Sequence, residues 1–246
     1  KEAQEVLRTH KPEDTEGAVV AIEPSTGLIR VLVGGRDFQA NQFNRATQAL
    51  RSPGSTFKIF PYAVAISKGL TPEDVLFDTP RCWYGYCPKN FGDIYFGEVS
   101  IAEGFSKSLN TIAVDILNKV GTDQVISLAN KLGVGSEREL GPYLPLAIGA
   151  CEETILNMTG AYAGITNRGV YVKPSPFEEI KGPAGSIIWS NKSNQNNAIR
   201  AMSTDTADTL NWMLQKVVTE GTGKVASLGN REVAGKTGTS EGSRDL

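Results

Sequence analysis

GAVVAIEPSTGLIRVLVGG, residues 17–35, holds two apolar runs of strand length around Pro24-Ser25-Thr26-Gly27. Four turn residues between two such runs predict a β-hairpin, Gly17 to Glu23 followed by Leu28 to Gly34. Neither run alternates cleanly between apolar and polar, which predicts cover on both faces. At the other end of the chain, Arg231 to Lys236 reads as a further strand leading into Thr237-Gly238-Thr239. Helical patterns fill the interval. One starts at Ser55, carries Phe57, Ile59, Phe60, Ala63, Val64 and Ile66, and stops at Gly69, with Pro61 expected to distort its second turn. Others cover Asn110–Val120, Asp123–Leu132, Glu153–Thr166 and Thr204–Val218, the last with Thr204 as its N-cap. Ser100-Ile101-Ala102-Glu103 has the form of a capping box. Residues 35–54 read as a polar loop and 170–200 as irregular strands around an Asn/Ser-rich loop. The order predicts an α/β fold: an antiparallel sheet flanked by helices, its α/β part from 17–77 and 201–246, with an inserted helical lobe at 78–200. Residues 1–16 are expected to be a linker from an upstream domain.

Composition excludes several chemistries. With 25 Lys and Arg against 27 Asp and Glu the net charge is −2, so the chain lacks the basic balance of a nucleic-acid-binding domain. His10 is the single histidine, so a Ser-His-Asp relay, a Cys-His pair and a His-rich metal site are all disfavoured, and neither a metal nor a cofactor is expected. A base would then be a carboxylate or a lysine. The three cysteines, Cys82, Cys87 and Cys151, form no CxxC. No apolar run reaches 18 residues.

Three short motifs carry the chemistry. Ser55-Thr56-Phe57-Lys58 is S-x-x-K, which sets a serine and a lysine on one helical face. A serine at a helix start meets the positive end of the helix dipole, and a lysine whose pKa is lowered can take its proton. Ser108-Leu109-Asn110 is S-x-N, its asparagine 52 residues after the lysine. By itself it also reads as a helix N-cap by Ser108 or Asn110. Lys236-Thr237-Gly238, followed by Thr239, is K-T-G at a predicted strand end. Each is weak alone; together they stand in order, at a helix start, an inter-helix loop and a strand end.

This triplet resembles that of β-lactamases and penicillin-binding proteins. The chain is similar to the transpeptidase domain of class A, bifunctional penicillin-binding proteins. The likeness extends over the hairpin at 17–35, FNRATQALRSPGSTFK (43–58), GEVSIAEGFSKSLNTIAV (97–114), ACEETILNMTGAYAGITNRGVYVKP (150–174) and EGTGKVA (220–226) before GKTGTS (235–240). The resemblance implies a β-lactamase/transpeptidase-like fold at 17–246 and a D,D-transpeptidase that cross-links peptidoglycan stem peptides. It implies Ser55 as nucleophile and Lys58 as general base. Ser108 would pass the proton to the leaving amine, and Asn110 would hold the substrate amide and help place Lys58. Lys236 would keep the site positive, Thr237, Gly238 and Thr239 would bind the substrate carboxylate, and the Ser55 and Thr239 N–H groups would form the oxyanion hole. It further implies acylation by β-lactams, glycan strands derived from lipid II as partners, an upstream membrane anchor and work outside the cytoplasmic membrane. The family's sheet continues after K-T-G with two strands and a helix, so a C-terminally incomplete domain is implied.

Two rivals bear on function. Glu153-Thr154-Ile155-Leu156-Asn157 spells E-x-x-L-N, the pattern that carries the deacylating glutamate of class A β-lactamases. The competing reading is that Glu153 merely favours a helix start, so that its loss costs at most about 0.3–1 kcal/mol. A non-catalytic β-lactam sensor or structural module is the other alternative. Cys82 and Cys87 either close a small loop, as an extracytoplasmic setting permits, or remain two thiols. Cys151 reads as a small buried hydrophobe. The aromatic residues of 83–96 are expected to serve packing before they serve a cleft.

Overall fold

The computed structural model describes residues 2–10 and 15–239. Lys11-Pro12-Glu13-Asp14, the predicted end of the leading segment, the side chain of His10 and the stretch from Ser240 lie outside the described residues. A short helix α1 (Glu2–His10) precedes β1 (Val19–Ile22) and β2 (Ile29–Val33), which pair antiparallel as the turn residues predict. The hairpin is covered differently from the expectation. Burial along β2 alternates, with Arg30 and Leu32 exposed. Successive side chains point to opposite faces of a strand, and one face here is left open.

The polar loop at 35–54 contains a helical turn, α2 (Arg45–Gln48), capped by Asn44, whose side chain accepts from the Ala46 N–H. Gly54–Lys58 is a 3-10 turn that runs into α3 (Ile59–Ser67). Pro61 causes no break: it is the third residue of α3, just past the change from 3-10 to α winding, and the helix continues to Ser67. The hairpin β3 (Val75–Asp78) with β4 (Gly97–Ser100) has no clear alternation in sequence and was not expected. Half of the capping box forms: Ser100 Oγ accepts from the Glu103 N–H at the head of α4 (Ile101–Ser106), while the Glu103 carboxylate pairs with Lys107 at 3.3 Å instead of turning back to the Ser100 N–H.

α5 (Asn110–Val120), α6 (Thr122–Lys131) and α7 (Ile155–Thr166) follow near the predicted bounds. Residues 170–200 form β5 (Val170–Tyr171), β6 (Glu179–Lys181), β7 (Ile187–Ser190), α8 (Asn191–Asn196) and β8 (Ile199–Arg200). α9 (Thr204–Thr219) is capped by Ser203 rather than Thr204, through its Oγ and the Thr206 N–H. The core is helical: α3, whose residues 59–65 are all buried, packs against α5, α6 and α9, while α7 packs on β1 and α9. Its apolar face is nearly its whole circumference, which is why it sits at the centre.

The predicted strand at 231–236 is not formed. Arg231 makes an isolated bridge to Leu228, and the Gly235 N–H donates to Leu214 O of α9 at 3.2 Å. A strand exists through a ladder partner, and among the described residues this segment has none beyond that bridge. Gly235 lies beside α9, and beyond the segment Gly238 packs on the 3-10 turn.

Cys82 and Cys87 form a disulfide that closes the aromatic loop, within which Trp83 and Tyr86 exchange both backbone hydrogen bonds at 2.8 Å. Trp83 and Tyr86 pack against the core, whereas Tyr84 and Phe91 are exposed. Loop-closure entropy for so short a ring gives about 2 kcal/mol of stabilisation. Reductant should therefore lower the unfolding free energy of the chain by about that amount. An unchanged unfolding midpoint would mean that the backbone pair and the Arg81 guanidinium stacked on Trp83 hold the loop alone.

Candidate active site

The 3-10 turn at Gly54–Lys58 decides the geometry. In a 3-10 turn residues i and i+3 eclipse, so Ser55 and Lys58 stack more directly than on an α-helix. Gly54 begins the turn at φ +52, and a Cβ there would come 2.6 Å from the Thr239 carbonyl. A Cβ on Gly149 would in turn meet Gly54 O at 2.2 Å. Backbone is thus packed on backbone on both sides of the turn, and only glycine leaves the room. Ser52 Oγ donates to Gly149 O at 2.6 Å, and the Tyr162 hydroxyl of α7 donates to Thr56 O at 2.9 Å. A Cβ on Gly238 would fall 2.8 Å from Thr56 Cγ2, so the K-T-G segment lies flat against S-x-x-K.

Lys58 is fully buried. Its Nζ donates to Ser108 O at 2.6 Å, to Asn110 Oδ1 at 2.7 Å and to Ser108 Oγ at 3.2 Å. Ser108 reaches it with both oxygens because its backbone turns to φ +59, a conformation few non-glycine residues adopt. Lys236 Nζ donates to the same Ser108 Oγ at 2.7 Å and to Thr237 O at 3.0 Å. Two lysines therefore meet across one hydroxyl. Burial, and then the Lys236 charge, push the Lys58 pKa well below its ordinary 10.5. Burial brings Lys236 down to about 7. As an ammonium, Lys58 spends all three protons on the 108–110 loop; losing one frees a lone pair that can take a proton from a serine hydroxyl. Thr237 Oγ1 lies 2.6 Å from Thr222 Oγ1 of the EGTG turn, and that turn leans on Ser106.

Ser55, Lys58, Ser108, Asn110, Lys236, Thr237, Gly238 and Thr239 are thus brought together from three separate segments, 55–58, 108–110 and 236–239. S-x-N is not an N-cap: Leu109 precedes α5 and no side chain of the motif caps it. A cleft of about 480 Å³ opens beside the nucleophile turn, lined by Arg51, Gly54, Tyr86, Ile148, Glu152 and Thr239 among others. Among the described residues no three His, Cys, Asp or Glu side chains gather as a metal site. Cys151 is no rival nucleophile, since burial, and then Glu153, push its thiol up to about 12.

Glu153 corrects its expected role. It lies two residues before α7, whose cap is Thr154, and is fully buried. Its carboxylate accepts from the Gly135 N–H at 2.7 Å, the Thr154 N–H at 2.8 Å and Asn157 Nδ2 at 2.9 Å. Its backbone pairs with Arg51, just ahead of the nucleophile turn. It is a structural anchor rather than a charge near a helix end. Reasoning from sequence also missed Asp78, Asn90, Gly149 and Tyr162, whose roles arise from contacts distant in sequence and leave no local pattern.

The buried Lys58 and the Lys236 ammonium thus meet at Ser108 beside the Ser55 turn, on a helical core with antiparallel strand pairs. Residues 17–245 match the family described as the penicillin binding protein transpeptidase domain, and the chain belongs to that family. It is 36% identical over 238 residues to penicillin-binding protein 1A of Aquifex aeolicus (strain VF5), covering 94% of this chain and 32% of that protein. It is 34% identical over 240 residues to penicillin-binding protein 1A of Neisseria lactamica, covering 94% of this chain and 30% of that one. The chain thus spans about a third of the length of the curated relatives it matches. The crystal structure of penicillin-binding protein 1A from Haemophilus influenzae superposes with a TM-score of 0.82 at 27% identity, over 92% of this chain and 40% of that one. The imipenem acyl-enzyme complex of penicillin-binding protein A from M. tuberculosis superposes with a TM-score of 0.79 at 26% identity, over 98% and 66% of the two chains.

Proposed function

We propose that this domain is a D,D-transpeptidase acting through an acyl-serine. Ser55 Oγ attacks the carbonyl of the penultimate D-Ala of a stem peptide, and neutral Lys58 takes the serine proton. The ester forms as the C–N bond to the terminal D-Ala breaks, and Ser108 passes a proton to the departing amine. Asn110 holds Lys58 and the substrate amide. Lys236, Thr237 and Thr239 bind the terminal carboxylate, with Gly238 keeping that segment against the nucleophile turn. The N–H groups of Ser55 and Thr239 face the oxyanion, where one such donor is worth about 10²–10³ in rate. The amine of a second stem peptide then takes the acyl group, which makes the cross-link. A β-lactam acylates the same serine by ring opening, with no group to leave.

The observation that carries this reading is Lys58: fully buried, held by three acceptors of the S-x-N loop, and facing a second lysine across Ser108. The setting that goes with it is extracytoplasmic, with lipid II-derived glycan strands as partners and a membrane anchor upstream. Incubation with penicillin followed by intact mass should give one adduct per chain, mapping to the peptide that holds Ser55. Incubation with a D-Ala-D-Ala stem peptide should release D-Ala. An adduct on another residue would sink the site assignment. Labelling without stem-peptide turnover would favour a sensor.

A further inference from the structure

Behind the S-x-N loop lies a buried polar chain that neither the motifs nor the proposed mechanism uses. Asp78, the last residue of β3, is fully buried. Its Oδ1 accepts from Asn90 Nδ2 at 2.7 Å and from the Thr111 hydroxyl, and its Oδ2 accepts from the Phe96 N–H at 2.9 Å. Three donors converge on it, so Asp78 meets the requirement that a buried carboxylate be hydrogen-bonded. Asn90 Nδ2 also donates to Ile94 O at 3.0 Å, which fixes which end of the amide faces the helix. Asn90 Oδ1 accepts from the Asn110 N–H at 2.8 Å and from the Thr111 N–H at 3.3 Å. These are orphan donors at the first turn of α5, and Leu109 offers no side-chain cap. Asn90 therefore caps α5 from twenty residues away. Its neighbour completes the clamp: Asn110 Nδ2 donates to Lys89 O at 2.7 Å, which turns Oδ1 toward Lys58.

We propose that Asp78 and Asn90 are positioning residues for acylation, holding the 108–110 loop so that its three acceptors set Lys58 against Ser55. The proposal rests on the reading that Ser55 is acylated with Lys58 as its base. All three hydrogen bonds of Lys58 end on residues 108 and 110, so a shift of this loop moves the base. Ser108 holds a positive φ, and a conformation of that kind persists only where its surroundings over-determine it. The Asn90 clamp on the residues immediately after it does that. Displacement of a catalytic group by about 1 Å costs up to about 10²-fold in rate.

The test separates the acylation rate constant k2 from the non-covalent dissociation constant K, using a chromogenic or fluorescent β-lactam and active-site titration so that only folded chain counts. In Asp78→Asn the amide must set a donor against either Phe96 N–H or the Asn90 and Thr111 donors. In Asn90→Ala the α5 cap is gone. Both should lower k2 at least tenfold with K within threefold of wild type, and the double variant should lose little more than the worse single, because the two act through one chain. Thr111→Val removes one donor from Asp78 but leaves the Asn90 clamp, and k2 should stay within threefold. A role in stability alone would lower the unfolding midpoint with k2 unchanged, and that overturns the proposal. So does an equal loss of k2 in Thr111→Val. If Asp78→Asn does not fold, Asn90→Ala decides by the same criteria. Failure of the underlying reading is distinguishable, since wild-type chain would then carry no adduct on Ser55.

Discussion

Lys58→Arg is expected to lower the acylation of Ser55 by about 10²–10⁴-fold, the range contributed by a positioned general base. A guanidinium keeps the charge but stays protonated at any pH the fold survives, so it has no lone pair for the serine proton. In wild-type chain the second-order acylation rate should rise with pH as Lys58 loses its proton. It should fall again as Lys236 loses its own near about 7, because the substrate carboxylate then loses its cation. Both limbs belong to the free enzyme. In Lys58→Arg the acid limb should vanish, since no neutral base forms. Stopped-flow acylation across pH, with thermal unfolding as the check that the larger side chain is housed, measures this. Near-normal acylation in the variant would remove Lys58 from the chemistry and leave Ser55 to another base.

Much of this site was legible in sequence because its parts are contiguous triplets in the right local settings. The hairpin at 17–35 announced itself by four turn residues, and α5 and α7 by their apolar period. The failures share one cause. The segment 231–236 has strand composition, yet a strand needs a ladder, and composition does not say where the partner lies. Glu153 looked like an acid at a helix start because sequence shows only its neighbours in the chain. The Gly135 N–H that holds it comes from a turn eighteen residues earlier. Asn90 and Asp78 were invisible for the same reason: an aspartate at the end of Val75-Leu76-Phe77 and an asparagine in an aromatic, turn-rich stretch are ordinary until folding brings them behind α5. The 3-10 form of the nucleophile turn depends on Gly54 and Gly149 meeting backbone to backbone, a contact between residues 95 positions apart in the chain.

Glu153→Ala is expected to destabilise the fold by about 3 kcal/mol while leaving the lifetime of the acyl-enzyme unchanged. The substitution strips the acceptor from three N–H donors held at 2.7–2.9 Å in a fully buried site. Each buried donor left unpaired costs about 1–3 kcal/mol, partly offset where water enters the space. Glu153→Gln keeps the volume and one oxygen but turns an NH2 toward either the Gly135 or the Thr154 side, so its cost should be smaller, about 1–2 kcal/mol. The kinetic half follows from the same geometry. To hydrolyse an acyl-serine, a glutamate must present a lone pair to a water near the ester. Here one oxygen is turned to Gly135 and the other to Thr154 and Asn157, and the side chain has no exposed surface. E-x-x-L-N in this chain therefore ties the 133–135 turn, the start of α7 and the Arg51 backbone together instead of activating a water. Chemical unfolding of the three forms, beside the half-life of their penicillin adducts, measures both halves. A wild-type adduct that decays in seconds and is trapped by Glu153→Gln would make this domain a β-lactamase.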